Sequence, residues 1–143
     1  PEAAREILLK GHEIGNRSLS NIPLLYLDEK SLTREISGFN RLARELLEYQ
    51  PRLFRPFLGE YSGLVQQVAQ QEGCTTVLWT IESYDWFNRD CSALVRQVLR
   101  KVRGGAIISF RAGSPQLVEA LPVIIDSLRE QGYKLVTVSQ LLP

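Results

Sequence analysis

The chain has 143 residues, 44% hydrophobic and 23% charged, which suits one soluble globular core and is short for two. Its 17 basic and 16 acidic side chains give a formal net charge of +1 and are spread along the sequence, so no basic block points to nucleic acid or to an anionic membrane surface. No apolar run approaches the roughly 18 residues of a membrane helix, and a chain that opens on Pro1 and holds no methionine is expected to be a trimmed piece of something longer rather than a signal peptide or a translation start.

Residues 2–10 carry Ala, Ile and Leu at helical spacing and stop at Gly11, as a short helix with a glycine C-cap would. A strand is expected over residues 12–15. Then Asn16-Arg17-Ser18-Leu19-Ser20-Asn21 follows with neither helical nor strand periodicity, so residues 11–21 read as a strand end turning into a functional loop. Over residues 31–49 the apolar set Leu32, Ile36, Phe39, Leu42, Leu46 and Leu47 recurs at three and four residues until Pro51 closes the segment, which predicts an amphipathic helix.

Leu53-Phe54-Arg55 reads as a short strand running into a loop at Pro56 and Gly59, and Ser62 as the cap of a helix over residues 63–71. Residues 75–81 are β-branched, aromatic and apolar on both faces, as expected of a strand buried between helices. Asp90 can cap the next helix, whose Leu94, Val95, Val98, Leu99 and Val102 form one face; Gly104-Gly105 breaks it, and residues 106–110 form another apolar run. A helix covers most of residues 115–131, with Pro122 either in its first turn or kinking it; Gly132 ends it, a last strand is expected over residues 133–138, and a terminal turn over 139–142.

Strands alternating with helices imply parallel βα units, hence an α/β fold with its functional loops at the carboxyl ends of the strands. The two cysteines, Cys74 before one strand and Cys91 opening a helix, fall at opposite ends of a segment about 20 Å long by strand geometry, which disfavours a disulfide. With a single histidine they also cannot build a zinc site by spacing.

Gly11-His12-Glu13-Ile14-Gly15-Asn16 is very similar to the second motif of the polysaccharide deacetylases, the NodB-homology carbohydrate esterases. Three later stretches follow in the family's order. Phe54-Arg55-Pro56-Phe57-Leu58-Gly59 resembles the third motif, Glu82-Ser83-Tyr84-Asp85-Trp86 the fourth, and Ser109-Phe110-Arg111 the fifth. The resemblance implies an irregular (β/α) barrel, here as one domain over residues 1–143, with its first strands and the Thr-Phe-Asp-Asp-Gly motif expected before residue 1.

It further implies hydrolysis of N-acetyl groups, a carbon–nitrogen non-peptide bond, on cell-wall or related polysaccharides. That reaction needs a metal to polarise the carbonyl and the water, a carboxylate base, and a histidine acid for the leaving amine. In the family two histidines of the second motif hold the metal; here Arg17 and Asn21 stand at their positions. The acid belongs to the fifth motif, where Arg111 stands. Arginine stays protonated and neither coordinates a cation nor exchanges a proton at ordinary pH.

The implied cleft comprises Arg17, Asn21, Arg55, Leu58, Asp85, Trp86, Ser109 and Arg111, with no resident metal such as zinc expected. Arg55 and Asp85 match residues that orient and tune catalytic groups in the family, although a simple structural ion pair across neighbouring strand ends is the preferred explanation of both. Leu58 replaces a tyrosine whose backbone N–H serves the oxyanion, a donor that does not depend on the side chain. Trp86 matches a residue of the acetate pocket and would by default be core, as would Trp79. His12 matches a framework position.

Three functional expectations follow: an inactive homologue with residual binding of polysaccharide or of an anion between Arg17 and Arg111, a deacetylase with an altered ligand set, or a structural or interaction domain. The family implies a bacterial cell-envelope or secreted location. Strands lacking neighbours would leave open edges, through which the chain is expected to self-associate or to pair with an upstream segment.

Overall fold

The computed structural model describes residues 1–87 and 90–143. They fall into two compact units, Pro1–Leu78 and Trp79–Pro143.

In the first unit, α1 (Glu2–Leu9) ends at Lys10 with Gly11 at φ +80, and the His12 backbone N–H donates to Ile7 O at 3.1 Å, so the lone histidine serves the helix end through its main chain. The second helix, α2 (Glu29–Leu47), starts two residues before the apolar pattern does, because the Asp28 carboxylate caps it by accepting from Ser31 N–H at 2.8 Å. Its buried face carries Leu32, Glu35, Ile36, Gly38, Asn40 and Ala43, while Leu42 and Leu46 are each 42% exposed. The helix is thus turned so that two polar side chains lie inside and two expected core leucines lie out.

The short strand β1 (Leu53–Phe54), the helix α3 (Gly63–Gln71) and the strand β2 (Thr75–Thr76) form a parallel βαβ unit, with Leu53 opposite Thr75 and Phe54 opposite Thr76. Ser62 caps α3 as expected, its hydroxyl accepting from Val65 N–H at 3.3 Å. Phe54 is fully buried in a core with Leu24, Leu32, Ile36, Val65, Val68, Ala69 and Cys74.

In the second unit, β3 (Ile81–Glu82) and β4 (Ile108–Ser109) pair in parallel across α4 (Cys91–Leu99), followed by α5 (Pro115–Glu130) and the short α6 (Val138–Leu141). Asp90 caps α4 by accepting from Ser92 N–H at 3.0 Å. Leu94 and Val98 of α4 pack on Ala120, Ile124 and Leu128 of α5, and Val95, Leu99 and Val102 flank them. Both thiols are free; burial pushes the Cys74 thiol up.

Three expected strands are absent or divided. Residues 12–15 form no ladder; pairing begins only at Asn16, which bridges to Phe54. Residues 75–81 split into the start of one sheet and the start of another. Between them the Thr80 hydroxyl displaces the regular ladder, accepting from Ile107 N–H at 3.0 Å and donating to Ile107 O at 3.2 Å. This run is also less buried than its composition suggests, Leu78 being 37% exposed. Residues 133–138 are not a strand: Gln140 Oε1 accepts the Thr137 N–H at 3.2 Å in a capping box, which starts α6 instead.

Pro115 occupies the first turn of α5, and Pro122 sits in its interior, where it removes one helical hydrogen bond. Since Pro122 is exposed, replacing it leaves no cavity. Pro122→Ala is expected to raise stability by up to about 3 kcal/mol, read as a higher urea midpoint; an unchanged midpoint would show that the helix has adapted fully to the proline. A second expectation concerns Asp28. Hydrogen bonds from the Ser31 side chain and backbone hold its carboxyl below the ordinary 3.8, so its contribution is present above that value and is lost as pH falls through the lower folded-state value. The stability difference between the native protein and Asp28→Asn should therefore shrink on acidification below 3.8; a constant difference would exclude this linkage.

Candidate functional site

In the first unit the loop after residue 15 is held from within. Asn16 is fully buried, and its Nδ2 donates to Ile36 O at 2.8 Å and to Asn40 Oδ1 at 2.9 Å, while its Oδ1 accepts from Ser18 N–H at 2.7 Å. Its main chain accepts from Arg55 N–H at 2.9 Å and donates to Leu53 O at 2.8 Å. The loop, which precedes α2 in the chain, is thereby joined both to α2 and to β1. Asn40 extends the network, its Nδ2 donating to Glu72 O at 3.2 Å and lying 3.6 Å from Cys74 Sγ. Glu35 supports the far side of the loop: its carboxylate accepts from Ser20 N–H at 2.8 Å and from Ser20 Oγ at 2.9 Å.

This support sets the outward positions. Ser18 and Asn21 both adopt left-handed backbone, φ +68 and +53, with Asn21 N–H donating to Ser18 Oγ at 3.2 Å. Arg17 and Asn21 are exposed. The Arg17 guanidinium lies 5.2 Å from the centre of the Phe57 ring, which brings the second and third motifs side by side. Arg55 is half-buried, and Leu58 is 63% exposed with φ +53 in a tight 3-10 turn, Phe57–Gly59.

Arg17 and Asn21 do not fit a divalent metal. A guanidinium presents donors only, and a neutral amide oxygen is a weak ligand for zinc. Among the described residues no three His, Cys, Asp or Glu side chains gather in a way that could hold one.

In the second unit Asp85 is the buried centre. Its carboxylate accepts from Ser83 Oγ at 2.8 Å and from the Arg111 backbone N–H at 3.0 and 3.2 Å. Ser83 N–H donates to Ser109 O at 3.2 Å, and Ser114 Oγ donates to Asp85 O at 3.2 Å. The fourth and fifth motifs are thus locked together, with Asp85 spent on the main chain of residue 111 rather than on its side chain, which is exposed. Trp86, a core residue by default, is 55% exposed, whereas Trp79 is half-buried.

Of the eight cleft residues, Arg17, Asn21, Arg55 and Leu58 belong to the first unit and Asp85, Trp86, Ser109 and Arg111 to the second. The sequence reading missed Asn16, Glu35, Asn40 and Ser83, which position those loops. A signal was present for two of them, since Glu35 and Asn40 interrupt the apolar stripe of α2 at helical spacing.

Removing a buried acceptor strands its donors at about 1–3 kcal/mol each. Asp85→Ala is expected to lose about 3 kcal/mol of stability, and Arg111→Ala less than about 0.5 kcal/mol, because the contact is made by the backbone. Chemical denaturation compares them; equal losses would mean that the Arg111 side chain, not its N–H, is what Asp85 holds.

Residues 1–77 match the family model for polysaccharide deacetylase. The chain is 31% identical over 147 residues to the peptidoglycan-N-acetylglucosamine deacetylase of Bacillus cereus, covering 99% of this chain and 68% of that protein. It is 29% identical over 141 residues to the uncharacterized protein YlxY of Bacillus subtilis, covering 99% of this chain but 44% of that one. The crystal structure of a CE4 family pseudoenzyme from Bacillus anthracis superposes with a TM-score of 0.92 at 28% identity, over 98% of this chain and 50% of that one. A mutant of that pseudoenzyme with restored enzymatic activity gives the same TM-score of 0.92. The chain thus spans about half of the length of these last relatives, 44%, 50% and 51%. Its α/β fold is that of the irregular (β/α) barrels of this type. From the match over more than half its length, the chain belongs to the polysaccharide deacetylase, or CE4, family.

Proposed function

We propose that the chain is a catalytically inactive polysaccharide deacetylase homologue that keeps a carbohydrate-binding surface at the bacterial cell envelope. The observation that carries this reading is the residue set itself: Arg17, Asn21 and Arg111 stand where the resemblance calls for two metal ligands and a general acid. The local geometry supports it. The Arg17 guanidinium is engaged on the Phe57 ring, and the Asp85 carboxylate holds a backbone N–H where the family reaction needs a histidine to tune.

On this reading no resident metal is held, since neither Arg17 nor Arg111 can coordinate a cation or relay a proton. The substrate class and the location follow the relatives, which are named as deacetylases of peptidoglycan. A pseudoenzyme among the structural neighbours makes loss of activity within this fold a precedented outcome. Inactivity need not abolish binding, because a loop held by Asn16 and Glu35 keeps its shape without the metal.

Two measurements test the proposal. The protein incubated with zinc or cobalt and an N-acetylated chito-oligosaccharide is expected to release no acetate above the buffer control; metal-dependent release would establish an active enzyme with an altered ligand set. In calorimetric titration the native protein should bind neither ion at this loop, whereas Arg17→His combined with Asn21→His, which places two imidazoles in the preserved loop, should gain measurable zinc affinity. Stoichiometric zinc held by the native loop would overturn the reading.

A further inference from the structure

The second unit holds a cavity of about 260 Å³ to which no residue of the four motifs contributes. Its walls come from Val102, from residues 105–108 leading into β4, from Leu128 of α5, and from residues 133–136 with Val138 and Leu141 of α6. Apart from Arg103, Tyr133 and Lys134, the side chains that line it are aliphatic, so it is a place for apolar groups.

Residues 133–136 are the anomaly at its rim. Tyr133-Lys134-Leu135-Val136 has the composition of a strand, yet it belongs to no helix and no ladder. The Tyr133 N–H closes the end of α5 on Leu128 O at 2.9 Å, and the Thr137 N–H is taken by Gln140. Between them, among the described residues, the backbone N–H groups of Lys134, Leu135 and Val136 have no protein partner. Leu135 and Val136 are also 46% and 38% exposed. Across the cavity β4 is open too, since among the described residues it pairs with β3 on one side only. A run of unpaired main-chain donors, with side chains suited to a pleated surface and an apolar cavity beside it, is an edge to which an extended peptide can add. A compact apolar molecule would fill the cavity and leave those donors as they are.

Charge selects the peptide. The two stretches that frame the cavity, residues 100–108 and 128–141, carry Arg100, Lys101, Arg103, Arg129 and Lys134 against Glu130 alone. Arg129 lies 4.0 Å from Asp126, and Lys101 Nζ lies 5.9 Å from the Tyr84 ring. Arg103 and Lys134 line the cavity themselves, and no acidic residue does. A second copy of the chain suits this edge poorly, because two-fold pairing through residues 133–136 would set the same basic stretch against itself. We propose that residues 133–136 and the cavity they line take up an extended segment of another protein, whose apolar side chains enter the cavity and whose acidic ones meet Lys134 and Arg103. The proposal does not depend on the carbohydrate reading above.

The test uses the whole 143-residue chain with three synthetic peptides, read by calorimetry and by amide hydrogen exchange. The first is acetyl-Glu-Val-Glu-Val-Thr-Val-amide; the second is the same peptide N-methylated at every residue, which keeps the side chains and removes the donors; the third carries Lys in place of Glu. Only the first is expected to bind. In the free chain the amide protons of Lys134, Leu135 and Val136 should exchange with little protection, and the first peptide should slow them at least ~10-fold. Val136→Pro, which removes one donor at an exposed position, should weaken binding up to ~10-fold. Lys134→Glu should move the preference to the Lys-bearing peptide while leaving the melting temperature unchanged. Equal binding of the N-methylated peptide would overturn strand addition, and equal binding of the Lys-bearing one would overturn the acidic assignment. Failure of the first peptide to bind, or to slow these amides, would overturn the proposal whole. Protection of the three amides in the free chain would overturn it as well, and its loss on dilution would assign the edge to a second copy.

Discussion

A fully buried primary amide is tolerated only where its donors and its acceptor are paired, and the side chain of Asn16 meets that condition with three hydrogen bonds. Those bonds reach α2 at Ile36 and Asn40 and return to the loop at Ser18, while the Asn16 main chain ties into β1. Asn40 then carries the network to Glu72 beyond the end of α3. The elements of the first unit that frame the loop are therefore linked through Asn16, by its side chain and its main chain, and through its partner Asn40. Asp85 does comparable work in the second unit, where its carboxylate joins the ends of β3 and β4.

This arrangement separates the residues that hold the loops from the residues that the loops present. The holders are buried: Asn16, Asn40, Ser83 and Asp85 have no exposed surface, and Glu35 has 6%. Loss of any of them strands hydrogen-bond partners away from water. The presented residues Arg17, Asn21 and Arg111 are exposed, and exchange at such positions ordinarily costs little stability. The chemistry implied by the family can thus be removed by substitution at the surface without loosening the fold beneath it.

Much of this was legible in the sequence, and the failures have physical causes. The helices α2, α3, α4 and α5 were readable because an amphipathic face and a capping residue such as Ser62 or Asp90 are local signals. The strands were legible in place but not in extent: residues 53–55 hold β1 and residues 75–81 touch β2 and β3, yet two-residue ladders are defined by partners distant in sequence, and residues 133–138 have the composition of a strand but Gln140 captures the Thr137 N–H. In the site, the second and third motifs fall in the first unit and the fourth and fifth in the second. What motif order did not reveal is that Asp85 grips a backbone N–H, a contact that leaves no trace in the identity of residue 111.

The backbone makes the same point independently. Among the described residues five non-glycine positions have positive φ, namely Ser18, Asn21, Glu48, Leu58 and Tyr84, and four of them lie in the loops of the site. Each such conformation costs about 1–2 kcal/mol and persists only where its surroundings enforce it. In a metal-binding relative, ligation could be credited with holding a loop in strain. Here that explanation fails for the loop over residues 17–21, because a guanidinium and a neutral amide stand at the ligand positions. The enforcing contacts are instead the ones observed: Asn16 Oδ1 on Ser18 N–H, Ser18 Oγ on Asn21 N–H, and the Glu35 carboxylate on Ser20. The loop geometry is therefore a property of the buried polar frame and does not depend on what Arg17 and Asn21 present at its surface.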